Sequence, residues 1–332
     1  VRECGEALEG VLPYLDNGRL PNIFSSSPSE SAYNSIDAAL WFARAVGLWH
    51  EAGGGPAKRS SKLLEALEEI ASAFLEERLP GVTLDAGLIR TAPGTGALTW
   101  MDANVHGEPV TPRSGCAVEI NALWFALLRF LERRHRDAGS ESVARQWGRR
   151  RREAGESFLD RLWLGDENYL ADRWIDGEAD PSVRPNMVIA AALESSPLSR
   201  DQRLAVVERT EAELLTPVGL RTLSPKNPDY QGRYSGGPES RDRAYHQGTV
   251  WPWLTGFYVE ACLRARGKRA GEKRRLAEML TGFAEQSKKH GLLHVSEVFD
   301  GDPPHRPGGC IAQAWSTADL LRGWSLLDRT AR

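Results

Sequence analysis

Val118-Glu-Ile-Asn-Ala-Leu-Trp-Phe-Ala-Leu-Leu-Arg-Phe-Leu131 is apolar nearly all the way round, with Glu119, Asn121 and Arg129 as its polar interruptions. A helix without a polar face is one that neighbours cover on both sides. Four more segments read the same way: Ser35–Trp49, Pro185–Leu193, Thr249–Leu263 and Ala312–Leu327. Between them lie charged, amphipathic segments at Arg2–Leu15, Ser61–Arg78, Glu141–Trp163, Ser199–Leu215 and Glu272–His290. In the fourth of these, Ser199 and Gln202 make a capping-box start, and Pro217 closes the helix soon after Leu215. The two kinds alternate strictly, amphipathic first, and strand-like alternation is almost absent. An inner ring of buried helices wrapped by an outer ring of amphipathic ones describes an all-α toroid. Pairs recurring roughly every 60 to 80 residues give helix-hairpin arithmetic with long loops. Six pairs close an (α/α)6 barrel; five are counted here. A plain helical array is the competing architecture.

The bulk numbers narrow the partners. Across 332 residues the net charge is −3, which favours no polyanion such as nucleic acid. The run Arg149-Arg-Arg-Arg152 reads as a solvated helix face. Four scattered cysteines (Cys4, Cys116, Cys262, Cys310) show no CxxC spacing, and the seven histidines no metal-ligand pairing. Free thiols in a reducing, cytoplasmic setting fit this usage, and neither a metal nor a cofactor is called for. No segment reaches the apolar length of a membrane span. Val1 is not a natural start residue, so the true N-terminus is expected to be missing or processed.

Chemistry concentrates in the loops. Pro21–Glu30, Gly81–Arg113, Ala171–Arg184, Thr216–Tyr245 and His294–Gly309 are long, rich in Gly and Pro, and each leads into an apolar helix. Loops of this length in a compact domain are usually functional. Parallel inner helices would gather all five at one mouth of the toroid. Within them, Leu98-Thr-Trp100-Met-Asp102 sets a carboxylate beside an indole, and Arg113 and Glu119 follow. A second acidic cluster, Ser296-Glu297-Val298-Phe-Asp300-Gly-Asp302, lies near the other end. Carboxylates bond hydroxyls and move protons, and indoles stack on the C–H faces of sugar rings. Each residue also has a plainer role. Asp37 is either an ordinary helix start or a carboxylate on a cleft floor; Glu119 is either a site residue or the ion-pair partner of Arg113. Asn186, in Arg184-Pro-Asn186, is structural or a supporting donor. Tyr245-His246-Gln-Gly-Thr-Val-Trp251-Pro-Trp253 either presents aromatic edges to a cleft or packs a core tryptophan pair. His246 lacks a Gly-x-Ser-x-Gly partner that would make it a nucleophile's base, and the spacing of Glu297, Asp300 and Asp302 is not that of an EF-hand.

Taken together these blocks resemble the amylo-α-1,6-glucosidase domain of glycogen debranching enzymes, a family with a glucoamylase-like (α/α)6 barrel. The resemblance rests on Tyr33-Asn-Ser-Ile-Asp37-Ala, Leu98-Thr-Trp-Met-Asp102-Ala, Thr111-Pro-Arg113 and Ala117-Val-Glu119-Ile-Asn121-Ala-Leu-Trp124. Downstream it runs through Arg184-Pro-Asn186, Leu215-Thr-Pro217-Val-Gly219-Leu-Arg221-Thr-Leu-Ser224, the Tyr245–Trp253 block and Gln313-Ala-Trp315-Ser. It implies hydrolysis of the single α-1,6-linked glucose at a trimmed branch of glycogen or a related α-glucan. Asp102 would be the general acid and Glu297 the general base of an inverting reaction, with no cofactor. Such pairs stand roughly 6.5–9.5 Å apart to admit water. By the same resemblance Asp37, Trp100, Arg113, Glu119, His246 and Trp251 would line the glucose pocket. Asp102 would have to hold a proton near neutrality, raised by burial or by a neighbouring carboxylate.

The resemblance has departures. The family's barrel begins with a helix pair bearing a Trp-Gly-Arg-Asp type motif that this chain lacks, so residues 1–332 are expected to be one glycosidase domain shortened at its N-terminus. Cys116 stands where a lysine is expected, and the glucanotransferase domain of bifunctional debranching enzymes is absent. The rivals are another α-glucosidase or a trehalase on the same fold, a non-catalytic glucan-binding scaffold, and a helical interaction scaffold.

Overall fold

A computed structural model describes residues 1–328 of the chain. Among them are eleven α-helices: α1 Arg2–Val11, α2 Asp37–Glu51, α3 Ala57–Leu75, α4 Val118–Asp137, α5 Glu141–Leu162, α6 Asn186–Ala192, α7 Arg200–Glu213, α8 Pro238–Tyr245, α9 Thr255–Arg266, α10 Ala270–Lys289 and α11 Ala314–Asp328. The all-α class holds: strands are two to four residues long and form no closed sheet among the described residues. Ten of the helices answer the ten expected segments, and Ser199 caps α7 as expected, taking the Gln202 N–H at 3.2 Å while Gln202 takes the Ser199 N–H at 2.9 Å.

The differences have local causes. α8 lies inside the expected Thr216–Tyr245 loop, because Pro-Glu-Ser-Arg-Asp-Arg-Ala-Tyr is too short and too charged to show an apolar period. The expected Thr249–Leu263 helix begins only at Thr255, since Val250–Trp251 pairs as a strand and Pro252–Leu254 makes a 3₁₀ turn. α11 is not covered all round. It packs on α9 and α10, and Leu321 on its far side stays 64 % exposed.

The chain divides into two compact units. The first comprises Val1–Asp102, Pro112–Arg161 and Arg173–Glu178. Its core is α2 packed on α4, with α3 against both, and Leu40, Val46, Leu67, Ile70, Phe74, Trp124 and Leu128 buried between them. Here Cys116–Ala117 pairs antiparallel with Arg173–Trp174 and runs directly into α4, which fixes the first turn that carries Glu119.

The second unit comprises Ala103–Thr111, Leu162–Asp172 and Ala179 onward. All seven residues of α6 are buried, as are ten of the twelve in α9, which packs on α6, α7 and α11. Beside these helices five short strands form one antiparallel sheet in the order Leu215–Thr216, Gly219–Arg221, Val250–Trp251, Val298–Phe299, Pro307–Gly308. That sheet joins Trp251 to the strand that follows Glu297.

Candidate active site

In the first unit the candidate residues gather around Asp37, in the first turn of α2. The Ile36 N–H bonds to the Leu98 carbonyl at 3.0 Å and ties this turn to the Thr99–Asp102 segment. Asp37 is buried, and burial pushes its carboxyl up to about 6; the neighbouring Ser35 and Trp41 oppose the rise, while the charges of Glu119 and Asp102 add to it. Glu119 is fully buried and paired through both oxygens with Arg113, whose second contact, Nη2 to Oε2, is 2.7 Å. The ion-pair role of Glu119 is thus realised. Arg113 also donates to the Thr99 hydroxyl at 3.4 Å. Asn121 clamps the loop below, accepting from the Ile89 N–H at 2.7 Å and donating to the Ile89 and Ala117 carbonyls at 3.0 Å. Trp100 is buried and Asp102 is exposed. The charge of Asp102 reaches the buried Asp37. Cys116, in place of a lysine, is a buried thiol that burial pushes up to about 11.

In the second unit Glu297 is half-buried, just ahead of the Val298–Phe299 strand. Each carboxylate oxygen receives one donor: the Tyr245 hydroxyl reaches Oε1 at 2.6 Å and the Cys310 N–H reaches Oε2 at 2.7 Å. The Glu297 N–H returns a bond to the Cys310 carbonyl at 2.8 Å. Gly309, at φ +68°, makes this possible, because a Cβ there would collide with Oε2. Tyr245 ends α8 and stacks on Tyr234 (5.4 Å between centroids) and tilts onto Trp251 (4.8 Å). Burial, aided by the charge of Glu297 and opposed by Arg241, raises the Tyr234 hydroxyl above its ordinary value.

His246 and Trp251 are buried and stacked on one another (5.5 Å, 15°). Trp251 donates to the Tyr245 carbonyl at 2.9 Å. Trp315, at the start of α11, meets Trp251 edge-on at 5.7 Å and stacks on Trp253 at 5.0 Å, and it keeps 40 % of its surface exposed. Behind His246 sits buried Arg184, which donates to the His246 carbonyl at 2.7 Å, the Thr222 carbonyl at 3.1 Å and the Gln247 side chain at 2.6 Å. Asn186 donates to Asp172 at 2.7 Å and completes this support, the supporting role expected of it. Asp300 and Asp302 hold the neighbouring loop. Asp300 accepts from the Tyr234 N–H at 2.8 Å and from Arg233 at 3.3 Å, and Asp302 accepts from the Tyr230 hydroxyl at 3.0 Å. No group of metal-holding side chains occurs among the described residues.

Tyr245, Tyr234 and the Cys310 amide are the contributors that sequence reasoning did not assign. Tyr245 and Cys310 stand 52 and 13 positions from Glu297, and nothing in their local pattern marks the contact. The one available signal was the placing of Tyr245 at the head of the aromatic block that ends in Trp253.

The family model described as amylo-alpha-1,6-glucosidase matches residues 2–322. The glycogen debranching enzyme of Saccharomyces cerevisiae is 27 % identical over 294 residues, 72 % of this chain and 19 % of that protein. The periplasmic trehalase of Citrobacter koseri is 26 % identical over 166 residues, 48 % of this chain and 28 % of that protein. This chain thus spans about a fifth of the yeast enzyme and just over a quarter of the trehalase. Among solved structures, the GH63 mannosylglycerate hydrolase from Thermus thermophilus in complex with glucose superposes with a TM-score of 0.62 at 14 % identity, covering 97 % of this chain and 89 % of that one. An uncharacterized conserved protein from the same organism gives 0.65, also at 14 % identity, with the same two coverages. These structures share the fold. With the sequence match running through both units, the chain belongs to the amylo-α-1,6-glucosidase family of glycoside hydrolases.

Proposed function

We propose that this chain releases α-1,6-linked glucose from branch points of glycogen or a related branched α-glucan, with inversion at the anomeric carbon. Asp102 gives its proton to the glycosidic oxygen as the C–O bond breaks. Water attacks the anomeric carbon from the opposite face and passes a proton to Glu297, so that β-glucose leaves. Asp37, Trp100, Arg113, Glu119, His246 and Trp251 line the glucose pocket in this reading.

The observation that carries it is the setting of Glu297. A half-buried carboxylate with one donor on each oxygen is held in a single orientation, as a base that must meet a water on one side requires. Tyr245 is its positioning residue. The raised Asp37, next to the charge of Asp102, supports a role for this cluster in binding and proton work near neutrality. The family match across residues 2–322 supports reading the 332 residues as one glycosidase domain.

A cytoplasmic location belongs to the same proposal. It is supported by four free thiols, and cell fractionation tests it. Among the described residues no helix is long and apolar enough to cross a membrane.

The trehalase match, across 48 % of the chain, gives the rival linkage its footing. Glucose release from limit dextrin trimmed to single α-1,6 glucose stubs, run beside trehalose and maltose, decides between them. The debranching reading predicts release from the stubs and its loss in Asp102→Asn and Glu297→Gln. Faster cleavage of trehalose than of the stubs would transfer the chain to the trehalase reading.

A further inference from the structure

Between positions 129 and 152 nine arginines stand against three carboxylates, whereas the remainder of the chain holds 33 basic and 42 acidic residues. The structure gives this charge a shape. Three residues, 138–140, join α4 to α5, and the two helices meet in antiparallel order at two glycines of α5. Glu132 lies against Gly148, where an added Cβ would come 2.9 Å from its carboxylate, and Phe125 lies against Gly155, where the gap would be 2.7 Å. On each helix three exposed arginines recur at i, i+4 and i+7: Arg129, Arg133 and Arg136 on α4, and Arg145, Arg149 and Arg152 on α5. That spacing puts side chains on one face.

At 100° per residue, each arginine stripe falls to one side of the contact line through Glu132 and Gly148. Buried Leu128 and Leu131 on α4, and Ala144 and Phe158 on α5, fall to the other. Because the helices are antiparallel, both stripes then face away from the core as the rims of one groove. Arg136 comes opposite Arg145, Arg133 opposite Arg149, and Arg129 opposite Arg152. With a rise of 1.5 Å per residue this ladder is about 10 Å long. Glu132 lies between the rims, and its charge is taken up by Arg136 at 2.7 Å and Arg151 at 2.6 Å. Among the described residues, Arg129, Arg133, Arg145, Arg149 and Arg152 make no ion pair.

Cations on both rims suit a multiply charged oxyanion. The short ladder and the net negative charge of the remaining chain argue against an extended polyanion, which would run off the arginines into repulsion. An isolated phosphate monoester, carrying close to two charges, can be held by two or three of these arginines at a time. Resting on the glucan reading above, we propose that this groove binds phosphate groups esterified to the branched glucan and tethers the polymer to the enzyme. Such a contact is weak alone but gains from holding a polymer whose ends the same molecule processes.

The test is affinity electrophoresis through gels containing phosphate-bearing amylopectin, and through gels containing the same polymer after phosphatase treatment. The wild type is expected to bind the phosphorylated polymer roughly threefold to tenfold more tightly at low salt, with the preference gone at about 0.5 M salt. The double variant Arg133→Glu/Arg149→Glu should bind both polymers alike. Arg274→Glu, an exposed arginine on α10, should behave as wild type. Equal binding of both polymers by the wild type, or a preference surviving in the double variant, overturns the proposal. Tighter retention by an oligonucleotide of matched charge overturns it in favour of nucleic acid. Phosphate-dependent retention without glucose release from any branch stub would support the groove and remove the glucosidase reading, so the two failures are distinct.

Discussion

The two units handle their carboxylates in opposite ways. In the first, Asp37 is buried within electrostatic reach of both Glu119 and Asp102, and Arg113 neutralises Glu119 in a sealed pair. In the second, Glu297 is held by the Tyr245 hydroxyl and the Cys310 amide, Asp300 by the Tyr234 amide and Asp302 by the Tyr230 hydroxyl, with Arg233 shared between the two aspartates. The crowded set has in Asp37 a member poised to exchange a proton near neutral pH; the second set is held in place by hydrogen-bond donors and a shared arginine. The proposed mechanism draws on both: its acid, Asp102, belongs to the crowded set beside the raised Asp37, and its base, Glu297, to the set held by donors.

Removing charge from each unit in turn has the largest expected effect. Asp102→Asn and Glu297→Gln should each lower kcat by roughly 10²- to 10⁴-fold with the fold intact, the range for general acid–base groups. Steady-state rates with circular dichroism check this, and near-wild-type turnover in either variant would unseat that residue. Arg113→Ala should cost about 3–5 kcal/mol in denaturant unfolding, because Glu119 would be left buried without its partner. Adding Glu119→Gln should recover part of that loss.

Asp37→Asn tests the crowding itself. A carboxyl moved from 3.8 to about 6 costs the folded state nothing below the lower value, increasingly more between the two, and the full penalty above 6. Each pKa unit is worth about 1.36 kcal/mol, so the variant should be more stable than wild type by up to about 3 kcal/mol at pH 7, with no gain at about pH 4. An advantage equal at both pH values would mean that the ionisation of Asp37 is not its source. The smallest effect is expected from Tyr245→Phe, which removes one of two donors to Glu297. The loss of a bond to a charged group should lower kcat by roughly ten- to a hundredfold, with KM little changed. A rise in KM at constant kcat would place Tyr245 in substrate binding instead.

Helices were legible in the sequence where they bury a long apolar face. Val118–Leu131 marks α4, but the helix continues to Asp137 through Arg134, His135 and Arg136, basic residues that suit a helix C-terminus although they carry no apolar signal. The five-stranded sheet was not legible, because two- and three-residue strands are shorter than any alternation can register. The identities of Asp37, Asp102, Arg113, Glu119 and Glu297 were visible as motif residues. Their environments were not: the Arg113–Glu119 pair was foreseeable from six-residue spacing, whereas the hold of Tyr245 and Cys310 on Glu297 depends on tertiary placement. The exposure of Asp102 and the burial of Asp37 likewise follow from packing, which no local pattern reports.

The most direct test of the inverting mechanism follows the anomer of glucose by proton NMR as it leaves single α-1,6 stubs on trimmed limit dextrin. Inversion predicts β-glucose first, with the α-anomer appearing only as mutarotation proceeds. α-Glucose as the first product would contradict the roles given to Asp102 and Glu297.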